Sequence, residues 1–108
     1  MLYKFKSKAT GDLIMLEPHG RQILGLIGKT AEPKGIVEVA ELPAAIDALQ
    51  AAVALHEARH AQAQQEAQER GDTVSQEDIV SLRQRAVPLI QLLEAASREN
   101  ADVTWREA

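Results

Sequence analysis

The sequence predicts an α+β fold in which a small, mainly antiparallel sheet packs on one face against a long antiparallel helical hairpin. Residues 2–8 alternate between apolar and cationic side chains, which is typical of a strand. Residues 43–70 and 75–99 carry apolar side chains three or four positions apart, which is typical of helices that bury one face. The predicted order is β-β-α-β-α-α-β, within a single domain spanning residues 1–108.

The first two predicted strands form a hairpin. Tyr3 and Phe5 mark the apolar side of the first strand, and residues 13–16 form a second, fully apolar strand. We expect a turn over residues 9–12, in which Gly11 can adopt a positive φ. Because a lone hairpin is marginally stable in water, its apolar face needs further strands or helices.

A short helix, a third strand and a final strand complete the predicted sheet layer. Pro18 suits the first position of a helix, and Gly28 is typical of a helix end. After a loop at 29–34, the β-branched residues of 35–39 predict the third strand. Residues 103–105 predict a short last strand.

The first helix of the predicted hairpin spans residues 43–70, and Gly71 with Asp72 is expected to end it. Its apolar stripe includes Leu42 and Val53, and the same rhythm continues through His56 and His60. The two histidines are therefore predicted to lie on the face that contacts the partner helix.

The second helix of the hairpin has a clear predicted start. Ser75 is a favourable N-cap, and Val74 and Ile79 occupy the positions of a hydrophobic staple. The short connection near Asp72 favours an antiparallel arrangement of the two helices. Pro88 falls inside the helix, where it is expected to remove a hydrogen bond and cause a kink.

Composition and charge exclude several classes of function. The chain has no cysteine, which excludes thiol catalysis, thiolate metal sites and disulfides. Its net charge of −4 and its mixed charge pattern disfavour nucleic acid as a partner. We see no continuous run of about 18 apolar residues, the length of a membrane span, and no signal-peptide pattern. The sequence therefore predicts a soluble cytoplasmic protein without a membrane partner.

Several segments resemble a known bacterial family. They are MLYKFKSKA at 1–9, GDLIML at 11–16, KGIV at 34–37, LPAAI at 42–46 and VSLRQRA at 80–86, followed by Pro-Leu at 88–89. This set is similar to the family named domain of unknown function 1840, and the resemblance covers essentially the whole chain. Because that family has no assigned activity, the resemblance implies neither a catalytic residue nor a ligand.

The pentapeptide His56-Glu57-Ala58-Arg59-His60 matches H-E-x-x-H, the signature of zinc peptidases. Histidines at positions i and i+4 of a helix lie on one face and can bind one Zn²⁺, and the glutamate can act as the general base. The resemblance to the bacterial family does not include this string.

A catalytic zinc site also requires a third protein ligand. Glu66 lies on a different face of the helix from the histidines, at roughly 100° of rotation per residue. The expected opposite stretch, residues 85–89, contains neither an acid nor a histidine, and the sequence does not place His19. The sequence therefore favours His56 and His60 as partly buried residues between the helices. Zinc binding, or a metal-dependent hydrolase with Glu57 as base, is the alternative.

Cationic residues form a second candidate site. Lys4, Lys6 and Lys8 share one side of the first strand, and Lys29 and Lys34 are expected nearby. A solvated strand face that discourages aggregation is the favoured interpretation. A site for phosphate or another anion is the alternative.

The hairpin itself suggests a function. A helix of 28 residues is about 42 Å long, which exceeds what a small globular domain requires. Arg83 and Arg85 of the second helix are interpreted as surface charges. The sequence therefore favours a non-enzymatic interaction or structural module over an enzyme. It predicts no cofactor, and a protein partner that can be a second copy bound through the hairpin.

Overall fold

The computed structural model describes the backbone of residues 2–71 and 77–107, and the side chains of residues 2–71 and 82–107. Its elements are β1 (Leu2–Ser7), β2 (Thr10–Leu16), α1 (Glu17–Leu26), β3 (Lys34–Val37), a 3-10 turn (Val39–Glu41), α2 (Leu42–Arg70), α3 (Glu77–Arg98) and β4 (Val103–Glu107). The predicted α+β class is confirmed, and the described part of the chain contains three helices and a four-stranded antiparallel sheet. The predicted connection near Asp72, the cap at Ser75 and the staple of Val74 and Ile79 lie outside the residues whose side chains are described.

The sheet has the strand order β2-β1-β4-β3, and every neighbouring pair is antiparallel. Side chains alternate between the two faces of the sheet. Tyr3, Phe5 and Trp105 are buried on the face that packs against the helices. The strands β2 and β3 are the edges of the open sheet. The opposite, open face carries the cationic side chains of Lys4 and Arg106 together with exposed apolar side chains, Ile14 and Ile36 among them.

The turn between β1 and β2 is tighter than the sequence predicts. It comprises Lys8 and Ala9, and β2 already begins at Thr10. The Ser7 side-chain oxygen accepts a hydrogen bond from the Ala9 N–H at 3.2 Å, next to an irregularity in the strand register. Because the chain is back in the sheet by Thr10, Gly11 does not need a positive φ and does not adopt one, so that expectation was wrong.

The helices end where the glycines predict. Gly28, with φ of 82°, follows the end of α1, and Gly71, with φ of 80°, caps α2. Near the start of α1, Gly20 lies directly against the ring of Tyr3 on β1, since an added Cβ would stand 2.5 Å from Tyr3 Cδ2. This close approach fixes α1 on the sheet.

The third strand ends earlier than predicted, at Val37, because the chain enters the 3-10 turn. Glu38 and Glu41 cap that turn reciprocally, and the Val39 N–H donates to the Asp102 carboxylate at 2.9 Å. These bonds replace the strand pairing that residues 38 and 39 would otherwise make. The last strand is longer than predicted and reaches Glu107, which adds Arg106 to the sheet.

Among the described side chains, one apolar cluster joins the sheet to the hairpin. Leu42 and Leu49 of α2 and Leu89 and Leu93 of α3 are at most 1% exposed, in one cluster with Phe5. Fully burying such a side chain stabilises the fold by about 1.5–3 kcal/mol. The aliphatic helix faces therefore supply most of a core that is poor in aromatic residues.

The helices α2 and α3 run side by side in opposite directions. Glu57 of α2 contacts Arg83 near the start of α3, and Gln50, earlier in α2, lines the same groove as Glu94, later in α3. The helix α3 continues through Pro88, where a kink remains a prediction.

Candidate functional site

The H-E-x-x-H string lies in the distal half of α2. The buried stripe of this helix runs through Leu42, Leu49 and Val53, and His56 and His60 then follow it as half-buried side chains. The Nε2 atom of His60 is buried and has no hydrogen-bond partner among the described residues. The two histidines share one helix face, as their spacing of four residues requires.

Glu57, the glutamate of the string, already forms an ion pair. Arg83 of α3 donates from Nε to Glu57 Oε1 at 2.5 Å, and its terminal nitrogen donates to the same oxygen. A general base in a zinc hydrolase must instead accept a proton from the metal-bound water. In this structure the Glu57 carboxylate therefore serves as an ion-pair partner between the two helices.

The structure does not bring a third ligand to the two histidines among the residues it describes. Within residues 2–71 and 82–107, no three histidine, aspartate or glutamate side chains converge on a point suited to a metal ion. His19, which the sequence could not place, lies in the first turn of α1 and shares a crevice with Arg85 of α3. His56 and His60 thus form at most a two-residue cluster in the described part of the chain.

The cationic residues of β1 lie on the open face of the sheet. Strand pairing sets Lys4 opposite Arg106, and Arg106 opposite Lys34, so one row of three cations crosses β1, β4 and β3. Lys6 and Thr104 border the same shallow concavity, whose volume is about 460 Å³. We call Lys4, Arg106 and Lys34 the cationic row.

The residues that form this cationic surface differ from those that the sequence predicts. Lys29 is not part of it, because its ammonium group pairs with Glu41 at 2.5 Å, beside the start of α2. This contact and the backbone hydrogen bond at Glu38 lower the pKa of the Glu41 carboxyl group. Lys8 lies in the turn after β1 rather than in the strand. Arg106 was missed, although the alternation of Val103, Thr104, Trp105 and Arg106 continues the strand pattern.

The anion-site interpretation of the cationic row remains a prediction. Asp12 lies 3.5 Å from Lys4 and partly neutralises the surface. Charge reversal at Lys4 and Lys6 tests the interpretation, because unchanged binding of anionic ligands would contradict it.

A second apolar face runs along the side of α2 that points away from the core. It consists of Ala44, Ala48, Ala51, Leu55 and Ala58, whose spacings of four and three residues repeat as in a coiled coil. Four of these side chains are exposed and Ala48 is half-buried, and Leu55 is 52% exposed. We call this set the outer stripe. The sequence shows the spacing of the outer stripe, but the stripe of Leu42 and Val53 is the stronger apolar signal in it.

The outer stripe also affects the hydropathy of the helix. The segment Val39–Arg70 is long and apolar enough to cross a membrane by length and composition, a property shared by core helices of soluble proteins. Apolar residues lie on two sides of α2, although they form no continuous run of about 18 residues. The inner side packs in the core cluster.

Comparison with known families agrees with the resemblance seen in the sequence. Residues 1–105 match the family described as Domain of unknown function (DUF1840). The chain belongs to this family. The match spans every described helix and nearly all of the sheet, and the DUF1840 description assigns no activity. No curated protein matches the chain, and no solved structure does.

Proposed function

We propose that this DUF1840 protein is a soluble bacterial interaction module without enzymatic activity, and that it forms a homodimer through the outer stripe of α2. The observation that carries this proposal is an exposed apolar surface with coiled-coil spacing on a helix whose opposite side is already packed. Surfaces of this kind are typical of helix–helix interfaces, because apolar residues repeating at three and four positions meet a partner helix along one seam.

The composition of the outer stripe suits a second copy of the same helix. Four of its five residues are alanine, which lets two helices approach closely, at the short end of the usual distance of about 8–10 Å. Leu55 would then be buried against alanines of the partner. Asp47 and Arg59 lie about 60° to either side of the stripe, so charges border the interface without entering it.

The shape of the molecule leaves this surface accessible. At 1.5 Å per residue, the 29 residues of α2 span about 43 Å, and the molecule measures 50 × 28 × 22 Å. The buried residues Leu42, Leu49 and Val53 lie on one side of α2. The outer stripe spans residues 44–58 on the opposite side of the helix, where a second copy can bind alongside it.

Sedimentation equilibrium with a matched pair of variants tests the proposal. Leu55→Glu places a charge in the outer stripe and keeps a good helix former, so the fold should persist. Ile36→Glu places the same charge on the open face of the sheet, where Ile36 is 40% exposed. We expect the wild type and Ile36→Glu to approach twice the monomer mass at high micromolar concentration and Leu55→Glu to remain monomeric. A monomeric wild type, or equal weakening by both variants, would contradict the proposal.

A zinc-binding site at His56 and His60 is the second candidate. The observation that favours it is the buried His60 Nε2 atom without a partner, because an unsatisfied buried nitrogen is costly and a metal ion would satisfy it. The ion pair of Glu57 with Arg83 favours metal binding without hydrolysis. Metal analysis of protein purified without a histidine tag tests it. Stoichiometric zinc that is lost in His60→Ala would support the site, and metal-free protein would exclude tight binding.

A further inference from the structure

A crevice runs along the free edge of β2, between the first turn of α1 and the middle of α3. It has a volume of about 440 Å³, and four consecutive residues of β2, 13–16, line it. Side chains of neighbouring strand residues point to opposite faces, so a cavity that touches all four follows the strand edge. We call it the β2 crevice.

The walls of the β2 crevice are mostly apolar and remain exposed. Ile14 and Leu16 are 54% and 55% exposed, and Leu2 is 38% exposed. Pro88 of α3 forms part of the opposite wall. These are among the most exposed large apolar side chains of the described residues, so this edge offers apolar surface that the fold does not cover.

The polar side chains in the crevice are His19, Gln84 and Arg85. Arg85 is half-buried, and its Nε atom is sheltered and has no hydrogen-bond acceptor among the described residues. Among the ion pairs of the described side chains, none involves Arg85, whereas Arg83 two residues earlier pairs with Glu57. The expectation that Arg85 is an ordinary surface charge was therefore wrong.

The positive charge of Arg85 acts on the crevice. His19 and Arg85 line the same crevice. Partial burial, and then the charge of Arg85, lower the pKa of His19. A buried or half-buried cation is normally compensated by an anion or by hydrogen-bond acceptors. Here the sheltered Nε atom of Arg85 has no acceptor among the described residues, and it lies next to an apolar surface.

We propose that the β2 crevice binds a carboxylate attached to an apolar group, with the carboxylate on Arg85 and the apolar group along residues 13–16. Guanidinium groups bind carboxylates through strong charge-assisted hydrogen bonds. The volume lies within the range of about 300–1,000 Å³ that is usual for small-molecule sites. One guanidinium in apolar surroundings suits a monoanion, whereas a phosphate would find more cations in the cationic row. The site is separate from the outer stripe and does not depend on dimerisation.

Two sources can supply this chemistry. One is a free carboxylic acid with an aliphatic chain. The other is the C-terminal carboxylate of an apolar peptide, which can also hydrogen-bond to the backbone of the edge strand β2. A comparison of octanoate with acetyl-Val-Leu-Val, which has a free C-terminus, distinguishes them, because only the peptide gains from strand pairing.

An NMR titration of ¹⁵N-labelled protein tests the site. We expect octanoate or the peptide to shift the amide signals of residues 13–19 and 84–88 in a saturable manner. The methyl ester of octanoate and the peptide amide carry no negative charge, so their affinity should be lower by about tenfold or more. This comparison uses the unchanged protein, so it holds even if a variant folds poorly.

Two arginine variants complete the test. Arg85→Gln should raise the dissociation constant about tenfold or more, because it removes the charged hydrogen bonds. Arg106→Gln removes the same charge from the open sheet face and should change it by less than about twofold, since exposed charges at a distance are screened. Absence of saturable shifts at millimolar ligand would overturn the proposal. Equal affinity for the acid and the ester, or equal loss in both variants, would overturn it as well.

Discussion

Replacing Gly20 and Gly25 of α1 by alanine, one at a time, is expected to change the free energy of unfolding in opposite directions. Both residues lie in the same helix, Glu17–Leu26, and neither has a positive φ. At Gly25 an added Cβ meets nothing within 4 Å. Alanine restricts the unfolded chain and favours the helix, so Gly25→Ala should stabilise the protein by about 0.4–1 kcal/mol.

At Gly20 the same methyl group would collide with Tyr3. The added Cβ would lie 2.5 Å from Tyr3 Cδ2 and 2.9 Å from Cγ, and Tyr3 is only 1% exposed. Carbon atoms pack at about 3.5–4.0 Å, so the ring or the helix must move by about 1 Å. Overpacking of this kind costs about 1–3 kcal/mol, which exceeds the gain in helix propensity.

Urea-induced unfolding of the two variants and the wild type measures this difference. We expect the urea midpoints of the two variants to lie on either side of the wild-type midpoint. The slopes of unfolding free energy against urea should be similar, because the surface exposed on unfolding hardly changes. The same order should appear in the melting temperature, at roughly 4 °C per kcal/mol for a domain of this size. If Gly20→Ala were as stable as Gly25→Ala, the packing of α1 on β1 described above would be wrong.

Three further predictions concern the helix ends, the hairpin and pH. Gly71→Ala should destabilise the protein by about 1 kcal/mol in urea unfolding, because φ of 80° is unfavourable for alanine; an unchanged midpoint would contradict the left-handed cap. Arg83→Gln should cost less than about 1 kcal/mol, with the difference shrinking in high salt, because the pair with Glu57 is solvent-exposed. His19 has a lowered pKa in the folded state, so the unfolded state binds more protons, and stability should decrease as the pH falls below about 6.5, the ordinary histidine value. This decrease should be smaller in His19→Gln, and an identical pH profile would argue against the partly buried position of His19.

Local sequence patterns predict much of this fold because the interactions that determine its helices and strands join residues close in the sequence. The alternation around Tyr3 and Phe5 identifies β1, and the glycines Gly28 and Gly71 identify two helix ends through their backbone conformation. The turn after β1 lies earlier than predicted because the Ser7 side chain accepts a hydrogen bond within it, so the turn does not require a positive φ at Gly11. Such a contact depends on geometry that composition does not reveal.

The candidate sites were harder to predict because each depends on contacts between distant segments. The spacing of His56 and His60 placed them on one face, but only the register of α2 against α3 brings Arg83 to Glu57. Likewise, Arg85 is close in sequence to Arg83, yet it faces β2 and His19 instead of an acid. Neither pairing can be derived from periodicity, since both depend on how the hairpin is placed against the sheet.

The most direct test of the proposed interface is an isotope-filtered NOE experiment on an equal mixture of ¹³C-labelled and unlabelled protein. It detects contacts between two copies of the chain and excludes those within one copy. The account predicts intermolecular NOEs from the Leu55 methyl groups to alanine methyl groups of the outer stripe. Intermolecular NOEs from the open sheet face alone, or none at high micromolar concentration, would contradict it.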